Sequence, residues 1–392
     1  MESREPTKKT VVDFFEQNVS KYPDTIAVKG SREALSYHQL NSWANGIAER
    51  LLENNDTRPV ILAFLHQDIE IVAAMLGALK AGIPCTLTPP LTYDQLRELI
   101  GKVGAGTVIT RDVEKPAIEV GPVKFISALE FRDSDAKNLG IKLDPESTAH
   151  LGNTSGTTGE PKLAMITHST ECFQTRSRAE GTGVQPGDKV SLMRLNSAAA
   201  VRDIMVGLTS GASVYVLDVG QEDLLREIAE WIVKEGINVL LCHVFLFQRI
   251  ATSQVPEYPH VKVLQLCGGA ATVGDFRVYQ KYFSDSCRFL NRYGMTETGT
   301  VSWLFADKSH DFKGGLRDYI PVGRPFPGAK ITLVDGEIHV TSNYLSMYSD
   351  RPDLNSEKFY KDSDGNLTFK TGDLGKYVDG NLMHLGRMSL NK

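Results

Sequence analysis

Apolar positions over the first 290 residues switch between two spacings, and the switching predicts the fold. Leu40, Trp43, Ala44, Ile47, Ala48 and Leu51 recur at helical spacing. Residues 60–65 are a short continuous apolar run, the pattern of a strand covered on both faces. A helix over 69–80, a strand at Cys85–Leu87, a helix at Tyr93–Val103 and a strand at Thr107–Thr110 follow. Further on, strands fit 190–193, 213–217, 239–241 and 263–266, and helices fit 201–208, 222–234 and Val273–Tyr282. Strands separated by helices predict parallel sheets with helices on both faces. From about residue 320 the texture changes to short runs at Lys330–Val334, 336–341, 367–370, 375–378 and 382–385. Asp335-Gly336, Asp364-Gly365 and Asp379-Gly380 punctuate them, which predicts an antiparallel sheet or barrel. The expected fold class is α/β: two layered α/β subdomains with mostly parallel sheets, 1–185 and 186–320, then a small antiparallel β subdomain, 321–392.

Composition narrows the picture. The chain has 392 residues, 41% hydrophobic and 23% charged, as in an ordinary soluble protein. A net charge of -5 argues against nucleic acid as a partner. The five cysteines, Cys85, Cys172, Cys242, Cys267 and Cys287, are scattered with no Cys-x-x-Cys pair, so they read as reduced core thiols of a cytoplasmic protein. The polar N-terminus has no signal-peptide core, and no run of ~18 apolar residues suggests membrane insertion.

The densest chemistry lies at 153–162, Asn-Thr-Ser-Gly-Thr-Thr-Gly-Glu-Pro-Lys. Thr154, Ser155, Thr157 and Thr158 bring hydroxyls, Gly156 and Gly159 let backbone N–H groups approach an anion, and Lys162 adds a positive charge. These residues suit a phosphate cradle; their composition also suits a flexible surface loop. The run is not a Walker loop, because Glu160 and Pro161 separate Gly159 from the lysine.

Thr154 to Lys162 resembles the signature of the adenylate-forming superfamily, which includes acyl-CoA synthetases, aryl-acid ligases and the adenylation domains of nonribosomal peptide synthetases. Five further family-like motifs stand in order: Leu35-Ser36-Tyr37-His38-Gln39-Leu40, Leu79-Lys80-Ala81-Gly82, Asn291-Arg292-Tyr293-Gly294-Met295-Thr296-Glu297, Phe369-Lys370-Thr371-Gly372-Asp373-Leu374 and Gly386-Arg387. The resemblance runs from about residue 10 to the end of the chain. One departure is Leu163-Ala164, where relatives usually place a glycine after the lysine.

The resemblance implies activation of a carboxylic acid by ATP as an acyl-adenylate, with pyrophosphate released. The acyl group would pass later to a carrier-protein phosphopantetheine or to coenzyme A. It implies that Thr154, Ser155, Gly156, Thr157, Thr158, Gly159 and Lys162 hold the phosphates. A carboxylate beside phosphates needs a cation between them, so Glu297 is the candidate Mg²⁺ ligand, with Thr296 on the α-phosphate. A Thr-Glu pair also suits a helix cap. Gly268, Gly269, Ala270, Asn291 and Tyr293 are candidates for the adenine, and Asp373 and Arg387 for the ribose. The family's mobile C-terminal domain, beyond the Gly386-Arg387 hinge, lies outside this sequence; a truncated chain impaired in catalysis is expected, with a naturally short member as the alternative.

For the acyl pocket the candidates are Asn196, Ala198, Arg202, Leu241, His243, Leu266, Arg292, Thr300 and Val301. Ala198 falls where amino-acid-activating relatives carry an aspartate, and a buried ammonium without a carboxylate is costly. A simple α-amino acid is therefore disfavoured. Arg202 and Arg292 suit a second anionic or polar end, and Arg292 equally suits pairing with a protein carboxylate. Two other classes stay open. One is a nucleotide-binding module without turnover; the other is a dinucleotide oxidoreductase, for which no Gly-x-Gly-x-x-Gly follows the first strand.

Overall fold

A computed structural model describes residues 9–53, 55–66, 68–111, 122–154, 162–193, 198–219, 224–250 and 257–388, with the side chains of 154, 198 and 224–226 outside the description. Helix starts are set by side-chain caps. Thr10, Ser36, Thr92 and Thr272 each accept from the backbone three residues on, and Asp13, Gln39, Gln95 and Asp275 return the bond. Such a cap stabilises a helix by ~1 kcal/mol. Two of the motifs singled out from the sequence are of this kind. Ser36 and Gln39 form the capping box of the helix Tyr37–Leu52. Gly82, at φ 69°, ends the helix Ile69–Ala81 in the left-handed conformation that glycine adopts without strain.

Three sheets organise the described chain. The first has the order Lys124–Ser127, Thr107–Thr110, Val60–Leu62, Cys85–Leu87, Thr148–Thr154, Lys162–Thr167, parallel except for its last antiparallel pair. The second runs Arg324–Pro325, Gly299–Ala306, Arg288–Met295, Val263–Cys267, Val239–His243, Lys189–Leu192, Ser213–Val216, Ile26–Lys29, Ala34–Ser36. Its centre is parallel and its edges antiparallel. The third is antiparallel: Lys330–Val334, Glu337–Thr341 and Leu367–Val378, with Phe359–Lys361 and Asn381–Arg387 both paired to the long strand.

Two expectations differ from this arrangement. The 1–185 and 186–320 division does not follow the sheets, because Ile26–Lys29 pairs in parallel with Ser213–Val216, Val28 opposite Val214. The predicted strands 367–370 and 375–378 are one strand, Leu367–Val378; a register shift at Leu374/Gly375 absorbs the irregularity of Thr371-Gly372-Asp373.

Helix Ile69–Ala81 is buried along its whole length, as its all-round apolar surface requires. One cluster of buried side chains holds Val60, Leu62, Leu87 and Ile109 of the first sheet together with Val28, Leu192, Val214 and Val216 of the second. Two smaller clusters attach the third sheet. Ala164 and Ile166 pack with Tyr348, Phe359 and Phe369. Val301 and Val322 pack with Ile338, Val340 and Leu382. Met295 of the second sheet packs against the first of these clusters, and Tyr293 of the same strand bonds to Asp373 of the third sheet.

Candidate active site

The strands Lys189–Leu192, Val239–His243, Val263–Cys267 and Arg288–Met295 run parallel, and their C-terminal ends open on a cavity of about 390 Å³. That end of an open α/β sheet is where ligands bind. His243, at the end of its strand, and Met193, Gly268 and Thr296, just beyond theirs, line the cavity. Leu241, Arg202, Asp203, Cys267, Arg292, Gly294 and Met295 complete much of its wall. Gly268 has φ 68°, and a Cβ there would stand 2.3 Å from the His243 ring, so the backbone passes the histidine only because no side chain intervenes.

Lys162 opens the strand after the glycine-rich loop, opposite Thr154. It is buried, and its ammonium stands 5.6 Å from the centre of the Tyr348 ring. The loop residues Ser155, Gly156, Thr157, Thr158 and Gly159 lie outside the described residues, as does the side chain of Thr154. Tyr348 donates its hydroxyl to Glu297 Oε1 at 2.6 Å. Burial, then the Glu297 charge, push the Tyr348 phenol far above its ordinary pKa, so it stays a donor. Sequence reasoning missed Tyr348. It lies in a turn-rich stretch without periodicity, and its partner is 51 residues away in the chain.

Asp373 sits on the third sheet and reaches across to the second. Its Oδ2 accepts from the Tyr293 hydroxyl at 2.6 Å, and His384 Nε2 lies 3.4 Å from the same oxygen. Arg387 Nε stands 2.9 Å from Oδ1. Burial pushes the Asp373 carboxyl up, but hydrogen bonds from His384 and Tyr293 and the charge of Arg387 outweigh it, leaving the group below the ordinary carboxylate range. Tyr293, desolvated by its packing and bonded to that carboxylate, is held protonated.

The remaining candidates divide. Gly268 faces the main cavity. Gly269 and Ala270 line a second, shallower pocket of about 500 Å³ with Thr272, Leu316 and Tyr319, and His243 borders both. Asn291 is buried and gives its amide N–H to Pro321 O at 2.9 Å, while its Oδ1 has no partner. Leu266 and Val301 do not line the cavity. Leu266 belongs to the apolar core of the second sheet, because alternation on the strand turns Cys267 to the cavity and its neighbour away. Val301 packs against the third sheet. Thr300 lies behind the wall and accepts from Arg292 at 3.3 Å. Asn196 and the side chain of Ala198 are outside the described residues.

Arg202 is not a free cation. It donates Nε and Nη2 to Glu171 Oε2 at 3.2 and 3.1 Å. Glu171 also contacts His150 at 3.1 Å and accepts from Thr175 at 2.9 Å. Burial pushes Glu171 up, yet Arg202 and His150 outweigh it and bring its pKa to about 2. Asp203, on the next position of the same helix Ala198–Thr209, pairs with the buried Arg178.

No cluster of three or more His, Cys, Asp or Glu side chains suited to a metal occurs among the described residues. No helix among them is long and apolar enough to cross a membrane. The five cysteines are free thiols, all buried except the half-buried Cys267.

The family model of AMP-binding enzymes matches residues 15–342. The chain therefore belongs to that family, within the adenylate-forming superfamily. Chondramide synthase from Chondromyces crocatus is 29% identical over 98% of this chain and 10% of its own length. Tyrocidine synthase 1 from Brevibacillus parabrevis is 27% identical over 97% of this chain and 36% of its own. The chain thus spans at most about a third of these relatives' lengths. Among solved structures, the nonribosomal peptide synthetase FmoA3 superposes with a TM-score of 0.89 at 21% identity, covering 99% of this chain and 43% of its own. Another form of that enzyme is AMPPNP-bound.

Proposed function

We propose that this chain activates a carboxylic acid as its acyl-adenylate. A carboxylate oxygen forms a bond to the α-phosphorus of ATP, the bond to the β-phosphate bridging oxygen breaks, and pyrophosphate leaves. The observation that carries this reading is the meeting of three sheets at one site. Lys162 of the first and Glu297 beyond the second stand on either side of Tyr348, while Tyr293 of the second and Asp373 of the third are joined by a hydrogen bond. A nucleotide needs these groups together, and no one sheet supplies them.

Asp373 and Arg387 are assigned to the ribose, Tyr293 and Gly268 to the adenine face, Lys162 and the loop before it to the phosphates, and Thr296 to the α-phosphate. Glu297 would hold Mg²⁺. A single buried carboxylate, fixed by Tyr348 on one oxygen, suits an ion that shares its coordination with phosphate oxygens and water rather than with a cage of protein ligands. When bound, the ion supplies charge neutralisation across the phosphates. The protein's own contribution is positioning and charge, which carry most of the catalysis in such displacements.

The acid proposed is not a simple α-amino acid. Among the described residues lining the cavity, Asp203 is the only carboxylate, and Arg178 already holds it. An incoming ammonium would share that charge with a guanidinium. The acceptor proposed is a carrier-protein phosphopantetheine thiol or coenzyme A. A second reading, an amino-acid-activating adenylation domain, is favoured by the peptide-synthetase names of the relatives.

Acid-dependent ATP–pyrophosphate exchange over α-amino, aryl, dicarboxylic and aliphatic acids separates the two readings. Single-turnover formation of bound acyl-adenylate, read by mass spectrometry, gives a second measure. AMP binding without any adenylate from any acid would overturn the enzymatic reading in favour of a nucleotide-binding module.

A further inference from the structure

The wall of the acyl cavity carries more buried positive charge than the described residues neutralise. Arg178, Arg202 and Arg292 are all buried. Two carboxylates face them, and each is committed: Glu171 to Arg202, His150 and Thr175, and Asp203 to Arg178. Arg292 lines the cavity, is 8% exposed, and has no ion-pair partner among the described residues. Its Nη1 donates to the neutral Thr300 hydroxyl at 3.3 Å, and its Nε has no partner. Burial disfavours its charge, but the adjacent Cys267 and Asp203 outweigh this and raise its pKa. The crowding is felt by the neighbour. Burial lowers the Arg178 pKa, Asp203 opposes this, and the like charges of Arg292 and Arg202 lower it further.

A buried guanidinium with an unused donor is a costly arrangement unless something completes it. The cavity side is where completion can come from, because Thr300 and the strand Gly299–Ala306 close the other side. Gly294 and Thr296, two and four residues further along the chain from Arg292, line the same cavity.

We propose that the acid this site activates carries a second carboxylate at its far end, and that Arg292 receives it. The substrate class is a dicarboxylic acid, one carboxylate lying toward Thr296 and the other toward Arg292. Arg202, already paired with Glu171, is a supporting charge rather than the receptor. This inference rests on the adenylation reading, and it refines the acyl end only.

The test uses non-hydrolysable acyl-adenylate analogues in pairs that differ at the far end: a terminal carboxylate against its primary amide, with a terminal amine as a third arm. Calorimetry on the unaltered chain should find the carboxylate analogue tighter than the amide by ~10–100-fold, the range of a charge-assisted bond to a buried group. Arg292→Gln should abolish that preference and leave AMP affinity unchanged. Arg292→Lys, which keeps the charge but loses the fork, should retain part of it. If Arg292→Gln does not fold, the ratio in the unaltered chain still decides. Equal binding of the carboxylate and amide analogues, or tightest binding of the amine, would overturn the proposal while leaving adenylation intact. Failure of AMP and of every analogue to bind would sink the adenylation reading itself, a distinguishable result.

Discussion

The nucleotide side and the acyl side of the cavity treat their charges differently. On the nucleotide side, Asp373 has Tyr293, His384 and Arg387 around it, and Glu297 has Tyr348. Each carboxylate is oriented before any ligand is considered. On the acyl side, Glu171 and Asp203 are also paired, but among the described residues the Arg292 guanidinium has no ion-pair partner. A site for a constant ligand can be finished by protein groups; a site that chooses among acids keeps its selecting group incomplete. On the proposed assignments, the contrast puts specificity at Arg292 and binding strength at Asp373.

The comparison can be broken most forcefully at Glu171. Glu171→Gln leaves Arg202 buried with no counter-charge and should cost ~3–5 kcal/mol of stability, read by thermal or denaturant unfolding. A loss below ~1 kcal/mol would mean that the acyl side tolerates unpaired charge and that Arg292 carries no special meaning. Acid unfolding of the unaltered chain samples the same region. Burial, then the neighbouring His150, lower His168 to about 4 from 6.5, so its neutral form stabilises the fold above 6.5 and that contribution falls away as pH drops towards 4. Glu171, lowered from 4.5 to about 2, contributes above pH 4.5 and loses its contribution between 4.5 and 2. A stability curve flat from pH 7 to 4 would refute the first assignment.

Next in size is Glu297→Ala, which should reduce Mg²⁺-dependent adenylate formation by ~10²–10³-fold, the range seen when a charge-stabilising group is removed from a polar active site. Unchanged turnover would reassign Glu297 to a structural cap. Asp373→Ala should weaken AMP and ATP equally, by ~1–3 kcal/mol. Unaltered AMP affinity would remove the ribose assignment. The smallest effect expected is from Tyr348→Phe, ~0.5–1.5 kcal/mol, seen as a raised Mg²⁺ requirement rather than a lost fold.

How much of this was legible in the sequence follows from how local each signal is. The family resemblance was legible because 153–162 and 291–297 are runs of adjacent residues, which a sequence shows directly. The helices announced themselves by spacing and caps, as Ser36 and Gln39 show. Pairings across long separations were not legible. Ile26–Lys29 joins Ser213–Val216 nearly two hundred residues on, and a short strand carries no mark of its distant partner. Leu266 and Val301 were misplaced for a related reason: apolar residues beside a pocket and apolar residues behind it look alike until the strand's facing is known. The Arg202–Glu171 pair was equally hidden, since either residue alone reads as solvated or as a ligand.

The buried helix Ile69–Ala81 has a mechanical consequence. With one apolar cluster shared by the first two sheets, those sheets form a single rigid chassis. The third sheet is attached by smaller clusters, by backbone bonds such as Leu382 N–H to Gly323 O, and by side-chain hydrogen bonds that include Tyr348 to Glu297 and Tyr293 to Asp373. These two side-chain latches hold the groups assigned to the metal and the ribose. If the proposed assignments hold, the same atoms fasten the seam and read the nucleotide, so a substitution that weakens AMP binding at Asp373 should also loosen the joint, and hydrogen exchange along Leu367–Val378 should speed up in step with the loss of affinity.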